Sequence, residues 1–531
     1  LPQRQSLPYI TTRPGFPALP VLPWSYAMTA SSSLIAILTK LRTAGGPART
    51  VGLDDATINR LAAQFPELTA AIHAANDAFD ALFSEGFDTL ITADELTQLR
   101  LVQQDYVNFY ADDCVNPYIA LVARGPWVVT LKGAVLHDSG GYGMLGFGHT
   151  PENVLRAMAK PQVMANIMTP SVSQLKLGQA LRKEIGHTRS ACPYARFLCL
   201  NSGSESVSLA GRIADVNAKL HTDPGGRHAG KRVVRIAVKG AFHGRTELPM
   251  LYSDSSRPTY AKHLASFKHH EAALITISPY SVEELQQAFA DADRKGWYVE
   301  AMFLEPVMGE GDPGRQVTPE FYAAARALTK AHGTLFLVDS IQAGLRAHGV
   351  LSIVDYPGFE GLEAPDMETY SKALNAGQYP LSVLAVNERA AELYRKGVYG
   401  NTMTTNPRAM DVACAVLSQL SDEVRQNIRV RGKEFVEKLQ KLQHELPGLI
   451  TKVQGTGLLF SCELADDFKC YGAGSTEEFM RERGIGVIHG GTNSLRFTPH
   501  FMVTSAEVDL VIGAVKSALL NGPRKSSSQA A

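Results

Sequence analysis

Between residue 196 and about residue 400 the chain alternates short apolar runs with stretches of helical spacing, and that alternation leaves few architectures open. The runs lie at 196–200, 233–238, 273–277, 301–304, 335–338 and 381–386. Each is too short for a helix, and most are rich in branched side chains, so each reads as a strand buried on both faces. Strands separated by helices do not pair as hairpins. They line up as a mostly parallel sheet with helices over its faces, which makes the fold class α/β. Further on, a helix from Pro407 and strand-like runs at 458–463, 486–488 and 495–497 form a smaller α+β carboxyl-terminal domain.

Two residues on this frame point to chemistry. Lys372 stands in Tyr370-Ser371-Lys372-Ala373-Leu374, a polar step after a strand-like segment, and Asp339 ends the run Leu335-Phe336-Leu337-Val338. A lysine can form a Schiff base with pyridoxal phosphate, and a strand-end carboxylate can keep the pyridine nitrogen protonated so that the ring withdraws electrons from substrate. Alone, each has an ordinary reading: a solvated lysine and a turn or cap aspartate. A third element joins them. The strand 196–200 runs into Asn201-Ser202-Gly203-Ser204-Glu205-Ser206, after which Val207, Ala210, Ile213, Ala214 and Ala218 recur at helical spacing. The free amides of a helix start bind anions, and Gly203 lets a phosphate approach the backbone. Ser202 and Glu205 equally fit a capping box, so this motif by itself is also an ordinary helix start.

In one order along the chain stand Asn201-Ser-Gly-Ser-Glu-Ser, Ala241-Phe-His-Gly-Arg-Thr, Glu305-Pro-Val-Met-Gly-Glu-Gly, Asp339-Ser-Ile-Gln-Ala-Gly, Ser371-Lys-Ala-Leu and Gly400-Asn-Thr-Met-Thr-Thr-Asn-Pro. Over roughly 116–520 the chain thereby resembles the class III aminotransferases, pyridoxal phosphate enzymes of fold type I that include ornithine and acetylornithine aminotransferases. The resemblance implies a Schiff base on Lys372, Asp339 at the pyridine nitrogen, Gln342 at the ring hydroxyl, and Ile341 and Phe242 on opposite ring faces. It implies Ser202, Gly203 and Ser204 at the phosphate, with His243 and Glu305 also among the cofactor-binding residues. Thr402 matches a threonine that reaches the neighbouring subunit's phosphate, which implies a homodimer with shared active sites. On the substrate side, Arg245 and Arg496 are candidate carboxylate forks, Glu310 is the candidate mask for Arg496, and Tyr142 is a candidate substrate contact. The partners implied are an ω-amino acid donor and 2-oxoglutarate as acceptor.

Some positions depart from the family pattern. Asp339-Ser340 replaces the usual Asp-Glu, Arg346-Ala347-His348 stands where Gly-Arg-Thr is usual, and Thr404-Thr405 replaces Gly-Gly. These changes leave the cofactor contacts and bear on substrate identity. Gly141-Tyr-Gly143-Met-Leu-Gly146 matches a dinucleotide fingerprint, but no acidic residue ends a second strand about twenty residues on. The glycines fit a substrate-side loop better.

Composition excludes other classes. Lys plus Arg equals Asp plus Glu, 52 each, so there is no electrostatic case for a nucleic acid or acidic membrane partner. No apolar run approaches the length of a membrane span. Six cysteines show no metal spacing and His269-His270 reads as surface, so no metal site is expected. Reduced thiols point to the cytoplasm. The sequence predicts a disordered tail (1–30, with Met28 the first methionine), a helical extension (31–115), a large cofactor domain (116–405), a small domain (406–523) and a disordered tail (524–531). The start of the large domain, 116–145, is a candidate to pack with the small one. Within the extension, 54–83 and 92–109 carry helical periodicity, and it reads as packing material over a dimer surface or the substrate entrance. Two other functions share the motifs: an aminomutase, racemase or decarboxylase of the same fold, and a non-catalytic interaction protein. Retention of Lys372, Asp339, Gln342 and Phe242 together speaks against the second, and the set Arg245, Glu310 and Arg496 against the first.

Overall fold

Neighbouring residues of the central strands serve two different cores. The computed structural model describes residues 33–111, 114–269 and 273–525. The tail 1–30, with Met28, lies outside these residues, as do His270 and 526–531. In space the central strands run Arg196–Leu200, Ser382–Val386, Met367–Tyr370, Leu335–Asp339, Trp297–Leu304, Arg232–Val238 and Leu274–Ile277. Ser382–Val386 is antiparallel to both its neighbours, and the other pairings are parallel. Ala301, Phe303, Leu335 and Leu337 pack with Val207, Ala210 and Ala214 of helix Gly203–Thr222. The alternate residues Met302, Leu304, Phe336 and Val338 join Leu285 and Phe289 of helix Val282–Arg294 and Phe321 of helix Pro319–His332. A strand's two-residue period thus sends successive side chains to opposite faces, and helices cover both.

Two smaller sheets flank this one. The first holds Ala120–Arg124, Trp127–Thr130 and Val135–Asp138, and its fourth strand is Ile485–Gly486, parallel to Val135–Asp138. The second is antiparallel, with Ile450–Thr456, Leu459–Leu464, Ser494–Phe497 and Ile488–Gly490 in that order. His137 of the first sheet and His500 both contact Glu507 Oε1, at 3.0 and 2.8 Å, at the start of helix Ser505–Asn521.

The amino-terminal extension forms helices Leu34–Thr43, Asp55–Ala62, Pro66–Ser84, Asp88–Thr92 and Glu95–Gln103. Helix Pro66–Ser84 lies on the first small sheet, and the Phe65 and Trp127 rings meet at 5.5 Å. The periodic stretch 92–109 is shorter as a helix than its spacing implies. Asp94 caps a new helix by accepting from the Thr97 amide at 3.0 Å, and the helix stops at Gln103, where Asp105, Val107 and Asn108 favour other conformations. At the other end Arg524 and Lys525, expected to begin a disordered tail, are held by Asp467: the Lys525 amide donates to its carbonyl at 2.8 Å, and Arg524 pairs with its carboxylate and covers Phe468.

Candidate functional site

The parallel strands end on one edge of the sheet, where such folds bind ligands. Helix Gly203–Thr222 starts there in a capping box: the Glu205 amide donates to Ser202 Oγ at 3.3 Å, and Glu205 Oε2 accepts from the amides of Asn201 and Ser202 at 2.7 and 3.2 Å. The amides at the head of the helix are left for a ligand. A Cβ at Gly203 would lie 2.6 Å from Ile341 Cδ1, so any larger residue here must displace the Ile341 side chain. Asp339, at the end of its strand, is buried, with Oδ2 2.9 Å from His243 Nδ1 and Oδ1 accepting from the Ile341 amide at 3.1 Å.

Lys372 follows strand Met367–Tyr370 with φ +47, a left-handed conformation unusual for a residue with a long side chain. Its step is fastened to the chain that returns to the sheet: Ser371 Oγ and Asn375 Nδ2 both donate to the Leu381 carbonyl, at 2.7 and 2.8 Å. Burial first, then the charge of Arg496, pushes the Lys372 ammonium down to about 8, with Glu310, Asp339 and Glu305 offsetting part of this. Burial drives Glu305 up to about 7 although the Phe242 and Gly309 amides donate to it at 3.0 and 2.9 Å.

Ser202, Gly203, Ser204, Phe242, His243, Glu305, Asp339, Ile341, Gln342 and Lys372 line a single cavity of about 180 Å³. Two buried polar atoms of this set, His243 Nε2 and Gln342 Nε2, have no hydrogen-bond partner. A planar ring with polar substituents and a phosphate would supply what the cavity lacks: partners for those two atoms, acceptors for the helix amides, and an amine-reactive carbon for Lys372. The residues present fit pyridoxal phosphate.

On the substrate side, Arg496 is buried beside Gln342. Its Nη1 lies 3.3 Å from Glu310 Oε1 and donates to the Gly309 carbonyl, and its guanidinium sits 5.8 Å from the Tyr142 ring centre. Burial raises the Glu310 carboxyl, but Arg496 and Lys372 outweigh burial and hold it below the ordinary range. Arg245 borders the cavity at Phe242. It is exposed, with its guanidinium 5.0 Å from the Phe242 ring and 5.9 Å from that of Phe109, and it donates to Ser256 Oγ at 3.3 Å. Tyr142, Glu310 and Arg496 are therefore brought together, and Arg245 stands over Phe242 of the cavity wall.

The sequence profile described as Aminotransferase class-III matches residues 110–519. The chain belongs to the class III aminotransferase family. An ornithine aminotransferase of Staphylococcus carnosus is 27% identical over 403 residues, covering 75% of this chain and 93% of that one. The crystal structure of the ornithine aminotransferase from Toxoplasma gondii ME49 superposes with a TM-score of 0.66 at 24% identity, over 80% of this chain and 94% of the other. The N-acetylornithine aminotransferase from Stenotrophomonas maltophilia K279a gives 0.61 at 22% identity, over 79% and 98%. The fold is that of the type I pyridoxal phosphate enzymes.

In this aminotransferase Thr402 lies away from the cavity, and its carbonyl accepts from the Ile167 amide at 3.0 Å. Sequence reasoning missed Gly309 as a constraint, although it stands inside a quoted motif: a Cβ there would fall 1.6 Å from Gln342 Oε1. It also missed Gly244 and Ser371 in the cavity wall. The fingerprint-like glycines 141–146 form a loop from which no helix opens directly, the next helix being Glu152–Met158, and a Cβ at Gly143 would meet Gln342 Cγ at 3.3 Å and Lys372 Cδ at 3.5 Å.

Proposed function

We propose that this aminotransferase binds pyridoxal phosphate on Lys372 and moves the ω-amino group of an amino acid of ornithine, acetylornithine or lysine type to 2-oxoglutarate. The observation that carries the reading is the Glu310–Arg496 pair, 3.3 Å apart within the cleft. A donor without a second carboxylate leaves that pair closed. A dicarboxylate entering the same space takes Arg496 from Glu310, because a guanidinium fork suits a carboxylate. One cleft thus serves two substrates of unlike charge. The names of the relatives support the donor class, and the cleft supports the acceptor.

Bound pyridoxal phosphate supplies an electron sink that stabilises negative charge on the substrate carbon. Asp339, held by His243, presents a fixed carboxylate that keeps a proton on the ring nitrogen. Ile341 and Phe242, which both line the cavity, would flank the ring and hold its plane. Lys372 Nζ, lowered to about 8, is partly neutral near pH 7 and can take and return a proton.

Assembly as a homodimer with shared sites has support in a surface of exposed apolar side chains beside Thr402. Ile167, which bonds the Thr402 carbonyl, and Met403 are about half exposed, and Met164, Met168 and Val172 are more open still. An apolar patch of this kind marks a subunit contact. A cytoplasmic location accords with the free thiols of Cys192, Cys199, Cys414, Cys462 and Cys470, and no helix among the described residues is long and apolar enough to cross a membrane.

The test is single-turnover spectroscopy of the loaded enzyme against a panel of amines. Ornithine-type ω-amines should discharge the cofactor's absorbance, and 2-oxoglutarate should restore it. Discharge by simple monoamines alone would reject the donor class.

A further inference from the structure

Arg346 is wholly buried, with its guanidinium 5.2 Å from the Phe501 ring centre, and its hydrogen bonds all go to main-chain carbonyls: Nη1 donates to Leu458 at 3.3 Å and Pro499 at 2.5 Å, and Nη2 to Gly143 at 3.2 Å. Among the described residues it has no ion-pair partner. Burial pushes this cation down, and the charge of Asp138 offsets only part of that. A fold keeps so costly a group only where converging acceptors compensate for the lost water, and the planar fork of arginine is the side chain that reaches three at once.

The three carbonyls belong to segments far apart in sequence. Gly143 follows Tyr142 in a loop whose residues 142 and 143 have φ of +48 and +82. Pro499 stands three residues after Arg496. Leu458 returns the contact, its amide donating to the Arg346 carbonyl at 3.0 Å. Arg346 itself lies four residues after Gln342, so one guanidinium joins the cofactor strand's exit, the Tyr142 loop and the Arg496 segment. Thr498 makes a second, lighter tether: its Oγ1 donates to the Gly140 carbonyl at 2.7 Å and accepts from the Gly143 amide at 3.1 Å.

We propose that Arg346 is a positioning residue that sets the spacing of Tyr142 and Arg496 and thereby the fit of the dicarboxylate substrate, without itself touching substrate or cofactor. The inference rests on the reading of this cleft as a transaminase site. It gives a role to a residue that stands where the family pattern has glycine.

The experiment uses cofactor-loaded Arg346→Met, Arg346→Lys, Thr498→Val and the double variant, with glutamate as the probe donor. In Arg346→Met the KM for glutamate should rise about tenfold or more while the limiting rate and the bound cofactor's spectrum stay near those of the parent, since removing binding used equally in both states changes KM alone. Arg346→Lys should fall between. Thr498→Val should raise KM about threefold, and the double variant should show non-additive coupling, as for residues sharing one network. A limiting rate and cofactor retention that fall together would make Arg346 a general stabiliser and overturn the proposal. Should Arg346→Met fail to fold, an unchanged KM in Thr498→Val would overturn it. A parent enzyme with no cofactor spectrum would instead reject the transaminase reading, so the two failures are distinguishable.

Discussion

At the scale of single residues, the chemistry depends on charges kept out of water. Asp339 has a histidine and a backbone amide as partners, and an amide in its place has no negative charge for a ring nitrogen. Asp339→Asn should retain the cofactor through the phosphate cup and lose activity by roughly 100-fold or more, on the scale of lost electrostatic preorganisation. Steady-state rates beside a cofactor spectrum check this, and an active Asn variant would assign the work to another acid. The Glu310–Arg496 pair makes a complementary claim. With Glu310→Ala the guanidinium stays open, so glutamate should gain on ornithine-type amines as donor. With Arg496→Lys, 2-oxoglutarate should lose most. Each shift should be about tenfold or more, the size of a charge-assisted hydrogen bond of about 1.5–3 kcal/mol. Half-reaction kinetics of both variants with both donors measure it, and equal losses for every substrate would make the pair structural.

At the scale of elements, the helix that begins at Gly203 couples its own start to the slot behind it. A methyl at that position meets Ile341 Cδ1 at 2.6 Å, so the Ile341 side chain, which lines the same cavity as Phe242 and Lys372, must shift. Gly203→Ala should therefore weaken cofactor retention about tenfold while thermal stability changes little, because the helix gains propensity from alanine. Dialysis followed by absorbance measures the first and a thermal scan the second; unchanged retention would count against the cup. These elements were legible in the sequence because their signals are local: a strand, a glycine turn and a capping box within a dozen residues. The shortening of the 92–109 helix had a local signal too, Asp94 with Thr97, which periodicity alone does not weigh. Arg346 was not legible as a site residue, since its acceptors at 143, 458 and 499 become neighbours only in the fold. For the same reason the sequence offered Arg245 as a fork and had no means of showing Phe109 beside it.

At the scale of the whole molecule, contacts distant in sequence set both stability and assembly. Burial would raise Glu507, but hydrogen bonds and charge from His137 and His500 hold it far below the ordinary carboxylate range. A carboxylate depressed in the folded state stabilises above its unfolded pKa near 4.5, and that stability is lost as pH falls through the folded value. Glu507→Gln should thus cost about 2–3 kcal/mol at pH 7, with the gap to the parent closing in acid. Urea midpoints across pH test it; a gap independent of pH would show that the carboxylate charge is not what matters. If sites are shared between subunits, mixing Lys372→Ala with Thr402→Ala chains should regenerate activity, because one site in each mixed dimer has both residues intact. A fully active monomer in the ultracentrifuge would contradict sharing. One further consequence follows from the way the Lys372 step is fastened, with Ser371 and Asn375 both gripping Leu381 just before the chain turns back into the sheet as its antiparallel strand. Both fastenings are made within the chain. The fold itself therefore sets the place of the lysine, as a socket keeps its shape without the bulb.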